Sequence, residues 1–357
     1  MADAKSKEDQ TLTKKTLRGA IIGAGYFAHN HLNAWAVAEG AEIIAICDRD
    51  EDRASVACAK FGIAGNFQDA AKMFVELDLD FIDICTTMET HRELVELAAA
   101  NGVPVKVQKP IAPNWEDAKA LVEVCKAADV PLMVHENFRF QMPHQTVAKW
   151  FRDGLIGTPT WGRIYFRTWY DIYENQPYLA EVDRLALLDL GVHVFDLARF
   201  YFGEAESLYC QTQTVKSFVT GEDQATAMVR HTSGAVSVVE CSYGSCQLPD
   251  PIPQTLVHLE GTEGSIKLLQ DYKVIVAKAD GTREEHDLTP KMRPWAVEPW
   301  HCEQDAVVHT VQHFVDGLHG DGTFDTSGED NLKTFALVMS AYDSAQSGQP
   351  VNPEKYA

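Results

Sequence analysis

The sequence predicts an α/β protein: an N-terminal doubly wound parallel sheet, then a C-terminal α+β part with a large open, mostly antiparallel sheet. Three observations carry this. From Leu17 to about Phe138, short apolar runs alternate with helical patterns, which implies right-handed crossovers between parallel strands. Beyond Arg139 the runs are joined by short glycine-bearing turns, the mark of hairpins. At 357 residues the chain is long for one core, so two domains are expected.

The elements follow in order. Residues 1–16 are polar, carry four lysines and have almost no apolar content, so they read as a disordered leader and not as a secretory signal. Gly19 to Ile22 reads as a buried strand, with a helix starting near Tyr26. Glu42 to Cys47 is a second strand ending on Asp48, and Phe81 to Cys85 is another. Val103 to Val107 and Pro131 to Val134 complete the series, with helices at Thr90 to Asn101 and Trp115 to Asp129. This places the doubly wound domain over residues 17–138 and the α+β domain over residues 139–357.

In the second part a helix over Thr146 to Asp153 precedes a strand from Trp161 to Trp169. Ala225 to Arg230 and Ala235 to Ser242 flank Thr232-Ser233-Gly234, a hairpin signal. Leu256 to Leu259 and Ser265 to Leu268 flank Gly261-Thr262-Glu263-Gly264, another. Helices at Val192 to Phe202, Cys302 to Leu318 and Glu329 to Ser344 would cover one face. There is no internal repeat and no low-complexity linker. Ligands of open α/β sheets lie beyond the carboxyl ends of the strands, so the cleft facing the second domain is the expected site.

Composition narrows the function. A net charge of −21 (31 basic residues against 52 acidic) argues against nucleic acid or an anionic membrane as partner. No uninterrupted apolar stretch reaches the roughly 18 residues of a membrane span. Eight cysteines without a C-x-x-C pair read as reduced thiols of a cytoplasmic protein.

Gly23 and Gly25 follow a buried strand and precede a helix, the context a dinucleotide fingerprint needs. The first glycine permits the tight turn, and the second lets the backbone of Gly23 to Phe27, Tyr26 included, approach a pyrophosphate. Ala28 stands where a third glycine is common, and its methyl still permits close packing. Asp48, 20 residues after Ala28, is placed for the adenosine ribose hydroxyls, which favours NAD; Arg49 beside it leaves NADP open. Thr86 and Thr87 would lie over the middle of the cofactor, with His91 on the next helix either facing it or packing.

Lys109 follows a strand and precedes Pro110, which holds Lys109 out of helical geometry and makes a cis bond feasible, aiming the ammonium at the nicotinamide. Asp189 and His193 are four apart and would share a helical face, with Asp196 three further on. A carboxylate one turn from an imidazole is the arrangement of a tuned base.

On these residues the chain resembles the glucose–fructose oxidoreductase/inositol dehydrogenase family (Gfo/Idh/MocA), over nearly its whole length from Gly19 to Gly348. The family's Glu-Lys-Pro segment corresponds to Gln108-Lys109-Pro110, with glutamine replacing the acid beside the nicotinamide. Its Asp-x-x-x-His pair corresponds to Asp189 and His193. Glu136-Asn137-Phe138-Arg139 matches the stretch whose asparagine and arginine face the cleft in that family. Where many members have a glycine-rich run, this chain has Asp183 to Leu188, which brings Arg184 to the substrate. The resemblance implies an NAD(P)-dependent oxidoreductase acting on a hydroxyl of a sugar, polyol or cyclitol. It also implies dimers or tetramers paired through the open sheets. The likeness is greatest to sugar-oxidising members, aldose dehydrogenases of the D-apiose type included.

In that scheme His193 takes the hydroxyl proton, Asp189 orients the imidazole, and Lys109 donates to the oxygen; the alternative makes Lys109 the base. Two rival functions fit the same cofactor site: glycoside cleavage or epimerisation by transient oxidation, and NAD-binding regulation without catalysis. His309 and His313 lack a third ligand, and His301, Cys302 and Glu303 are adjacent and cannot readily converge, so no catalytic metal is expected. Trp161, Trp169, Tyr170 and Tyr173 offer either a sugar-stacking surface or core.

Overall fold

The computed structural model describes residues 15–356. The expected leader therefore lies outside the described residues except for Lys15 and Thr16, and Lys15 pairs with Asp80 at 2.7 Å.

The N-terminal half runs β1 (Leu17–Ile22), α1 (Ala28–Trp35), β2 (Ala41–Cys47), α2 (Glu51–Phe61), β3 (Gly65–Phe67) and α3 (Ala70–Glu76). It continues with β4 (Phe81–Ile84), α4 (His91–Ala100), β5 (Val105–Gln108), α5 (Trp115–Ala127) and β6 (Leu132–His135). The six strands lie in the order β3-β2-β1-β4-β5-β6, every pair parallel. Strand order reverses beside β1, which opens a crevice at the carboxyl ends there. β4 and β5 are buried at every position, as strands covered on both faces must be. Gly19 is required inside β1: a Cβ there would come within 2.2 Å of the Phe81 ring.

The C-terminal half runs α6 (Met142–Arg152), β7 (Pro159–Arg167), α7 (Val192–Phe202), β8 (Ala205–Gln213), β9 (Gln224–His231) and β10 (Val236–Ser242). Then come β11 (Leu256–Gly261), β12 (Gly264–Leu268), β13 (Lys273–Lys278), β14 (Arg283–Asp287), α8 (His301–Leu318) and α9 (Gly328–Ser347). Eight strands form one open sheet in the order β14-β13-β12-β11-β7-β10-β9-β8. Both expected hairpins form, β9 with β10 and β11 with β12.

One pair departs from the antiparallel pattern: β7 lies parallel to β10. The chain between them passes through α7 and two strands, and that crossover returns it in the same direction. The halves also share elements. α8 packs on α1 and on the start of β4 through Phe314, Val311, Trp35 and Phe81, and α9 lies against α5 and α7. Among the described residues no helix is long and apolar enough to cross a membrane.

Candidate active site

A cleft of about 1600 Å³ opens at the carboxyl ends of β1, β2, β4 and β5 and is closed on its far side by the second half. At its base Gly23 turns with φ +99°, where a Cβ would meet the Cys85 carbonyl at 2.7 Å. A Cβ on Gly25 would have nothing within 4 Å, so the turn presents bare backbone to the cleft. α1 begins at Ala28, two residues later than expected, and among the described residues no side chain caps its first amides. Free amides at a helix start are suited to a pyrophosphate. Tyr26 and Phe27 stand exposed at the mouth.

Asp48 ends β2 in the cleft wall, accepting from the amides of Ala24 (2.7 Å) and Asp50 (2.9 Å), with Arg49 beside it. The donor set therefore fits NAD: bare amides for phosphates, and a braced carboxylate for ribose hydroxyls. Thr86 and Thr87 also line the cleft, Thr86 accepting from the Thr90 hydroxyl at 2.8 Å.

Lys109 leaves the end of β5, and its bond to Pro110 is cis. Its ammonium lies 2.8 Å from the Asp189 carboxylate and 3.0 Å from the Asp189 carbonyl. Tyr243, just past β10, donates to the other Asp189 oxygen at 2.5 Å. Burial opposes the charge on Asp189, but Lys109 and then Tyr243 outweigh it and hold the carboxyl below its ordinary range. Gln108 binds the Lys109 amide through its carbonyl oxygen (2.7 Å), and its amide lies 3.2 Å from His31.

His193 does not pair with Asp189. Its Nδ1 makes a very short hydrogen bond to Glu136, which arrives from the end of β6 in the other half of the molecule. Phe138 stacks on the imidazole with centroids 3.8 Å apart and planes 5° from parallel. The reason is local. Residues Leu187–Gly191 form a π-helical turn leading into α7. The wider turn changes the angular step, so a carboxylate four residues upstream no longer faces the ring. Burial, then the Lys109 charge, depress the imidazole pKa well below its ordinary value, so the ring is neutral near pH 7.

Two further expectations need correction. Arg139 is outside the cleft lining: it holds Asp196 with two bonds (2.7 and 2.5 Å) and also the Asp325 carbonyl, because a buried guanidinium needs carboxylate partners. His91 is fully buried, its nitrogens against the carbonyls of Ile111 (3.1 Å) and Thr86 (3.2 Å), so it braces the loops and does not reach the cleft. Trp161, Trp169, Tyr170 and Tyr173 lie outside the lining too, and the aromatic wall comes from Phe138, Phe166, Tyr178, Tyr243 and Trp300. Asn137 and Arg184 do face the cleft, Arg184 leaning over the Tyr342 ring.

His309 and His313 turn to separate partners, Asp305 and the Asp325 amide. His301 packs against Tyr272, Cys302 is buried, and Glu303 reaches the cleft as a buried carboxyl. His31, Asp83 and Cys85 cluster with ligand atoms within 4.8 Å of one another. The Lys106 ammonium already stands among them, 3.0 Å from His31 and 3.2 Å from Asp83, where a cation would go.

Sequence reasoning missed Glu136 as a partner, Tyr243, and the pairing of Lys106 with Asp83. The last had a signal: each is a charge inside an apolar strand, and they are neighbours in register between β4 and β5. Tyr243 carried none.

Comparison with known proteins decides the lineage. Residues 17–136 match the model of the oxidoreductase family with an NAD-binding Rossmann fold, and 144–267 match the Gfo/Idh/MocA C-terminal domain. This chain belongs to the Gfo/Idh/MocA family. It is an enzyme, an NAD-dependent dehydrogenase.

Within the family the chain is 48% identical to a D-apiose dehydrogenase of Paraburkholderia graminis over 96% of this chain and 91% of that one. It is 46% identical to a D-apiose dehydrogenase of Rhizobium rhizogenes, covering 94% and 97%. A solved oxidoreductase from Agrobacterium radiobacter, in complex with NAD+, L-tartaric acid and magnesium, superposes with a TM-score of 0.94 at 45% identity. That match covers 96% of this chain and 100% of that one.

Proposed function

We propose that this enzyme oxidises a CH–OH group of an aldose, with D-apiose the leading candidate. The convergence of Lys109, Asp189 and His193 from both halves on one cleft supports the chemistry. Near-full-length relatives that act on D-apiose support the substrate. In this reading residues 17–138 hold the cofactor and 139–357 shape the sugar site.

NAD, when bound, supplies the hydride acceptor. Gly23, Gly25 and the start of α1 hold its phosphates, Asp48 selects NAD by repelling a 2′-phosphate, and Arg49 sets how much NADP is admitted. Gln108 and Thr86 flank its middle. His193 accepts the hydroxyl proton at Nε2, the nitrogen turned away from Glu136. Lys109 donates to the oxygen as negative charge builds there, worth about 10²–10³ in rate for a donor of this kind. Asp189 and Tyr243 hold the ammonium in place. Asn137 and Arg184 contact the sugar's other hydroxyls.

The test is NADH formation over a panel of aldoses, polyols and cyclitols with NAD and NADP. Turnover of D-apiose well above the others supports the assignment. Product without net NADH points to transient oxidation, and no turnover of any sugar refutes the reading.

Outside the site, we place the protein in the cytoplasm, in line with eight free cysteines. We assign it a dimer or tetramer built on the outer sheet face, where Tyr209 and Met228 stand exposed. Sedimentation as a monomer would refute that assembly.

A further inference from the structure

Glu136 arrives from the end of β6 and meets His193 on α7, so the contact joins the two halves behind the cleft. The carboxylate is fully buried. One oxygen takes the His193 Nδ1 bond and a 3.3 Å bond from the Phe138 amide; the other has no hydrogen-bond partner among the described residues. A buried carboxylate oxygen left unpaired is costly, so the group needs a reason to be there.

We propose that Glu136 is a positioning residue for proton transfer: as a carboxylate it accepts Nδ1–H and so leaves the Nε2 lone pair of His193 facing the substrate hydroxyl. The proposal rests on the reading of His193 as the base. When the substrate loses hydride to NAD+, its O–H bond breaks and the proton joins Nε2. The resulting imidazolium is stabilised by the charge on Glu136, and the proton later leaves to solvent, so CH–OH and NAD+ become C=O, NADH and H+. A protonated Glu136 reverses the arrangement. Its O–H then donates to Nδ1, the imidazole proton sits on Nε2, and the base is blocked.

Other charged or titratable groups face this pair: His135 from β6, Lys109 beyond β5, Arg139 beyond β6, Asp189 from the π-turn and Asp196 from α7. Burial raises the Glu136 carboxyl to about 7, against the opposing pull of Lys109 and Arg139. Turnover should therefore climb as pH rises through about 7, because deprotonating Glu136 unblocks Nε2. Lys109 holds the neighbouring Asp189 carboxyl below its ordinary range, so Asp189 does not supply that titration.

The variant is Glu136→Gln, which keeps size but loses the charge and offers Nδ1 a donor. Its kcat should fall about 10²-fold, the lower end of a general base's worth, with KM within threefold and the rise near neutral pH abolished. Glu136→Asp, which keeps the charge, should recover part of kcat and the pH limb. Nitrogen NMR of the cofactor-free wild-type protein above pH 8 (about one unit over the carboxyl) should show His193 protonated on Nδ1. An Nε2–H tautomer there overturns the proposal even if the variants do not fold. Unchanged kcat and pH limb in Glu136→Gln, with His193→Ala inactive, also overturns it while sparing the base. Full turnover in His193→Ala instead removes the underlying reading.

Discussion

Lys106 and Lys109 stand three residues apart at the end of one strand, and each meets a carboxylate and a histidine, yet the two clusters have opposite characters. Lys106 is fully buried; it touches both oxygens of Asp83 at 3.2 Å and lies 3.0 Å from His31, with Trp35 donating to Asp83 at 2.7 Å. Lys109 keeps 21% of its side chain exposed, and Asp189 keeps 27%. The first cluster closes every valence internally and ties α1, β4 and β5 together beneath the cofactor crevice. The second leaves an ammonium and an imidazole nitrogen facing the cleft. In the function proposed above, only the cluster that opens to the cleft carries proton chemistry, although both contain the same functional groups.

That contrast can be broken at either end. The largest effect is expected at the open cluster: His193→Ala should lower kcat about 10²–10⁴-fold while NAD affinity, read by fluorescence titration, stays within twofold. Lys109→Met should follow with a loss of about 10²–10³ in kcat and little change in chemical denaturation midpoint. Lys106→Met should behave the other way. It leaves Asp83 buried without its cation and should cost about 3–5 kcal/mol of stability in urea unfolding, with NAD binding reduced only as the fold loosens.

Acid sharpens the same point. Burial works against the Asp83 charge, but Lys106 and His31 depress its pKa well below the ordinary range. A depressed folded pKa means the pairing contributes fully above the unfolded carboxyl value of about 3.9 and is lost as pH falls below it. In Lys106→Met the carboxyl is buried unpaired, its pKa rises, and protonation becomes favourable. The stability gap between the variant and the wild type should therefore narrow as urea titrations move from pH 7 to about pH 4. The smallest change is expected for Tyr243→Phe, which removes one bond to Asp189 and should reduce kcat about tenfold, near 1.5 kcal/mol.

Much of this is legible in the sequence. Apolar runs alternating with helical patterns implied the parallel sheet, and Gly23, Gly25 and Asp48 occupy the spacing that a strand-turn-helix needs for a dinucleotide. Lys109 and His193 were picked out by type and setting, and both lie in the cleft. What failed were the partnerships. Helical spacing alone pairs Asp189 with His193, but the π-turn over Leu187–Gly191 breaks that spacing, and Glu136, 57 residues upstream, takes its place. The family resemblance turns Arg139 toward the cleft, but Asp196 and Asp330 draw it inward.

Periodicity, glycine placement and residue chemistry are local properties of the chain, and they determined the sheet, the dinucleotide turn and which polar groups reach the cleft. The choice of partner for each group is a different matter, because burial makes every charge seek its best counter-group regardless of distance along the chain. Only the folded arrangement, bringing β6 against α7 and β5 against the π-turn, decided that Glu136 serves His193 while Asp189 serves Lys109.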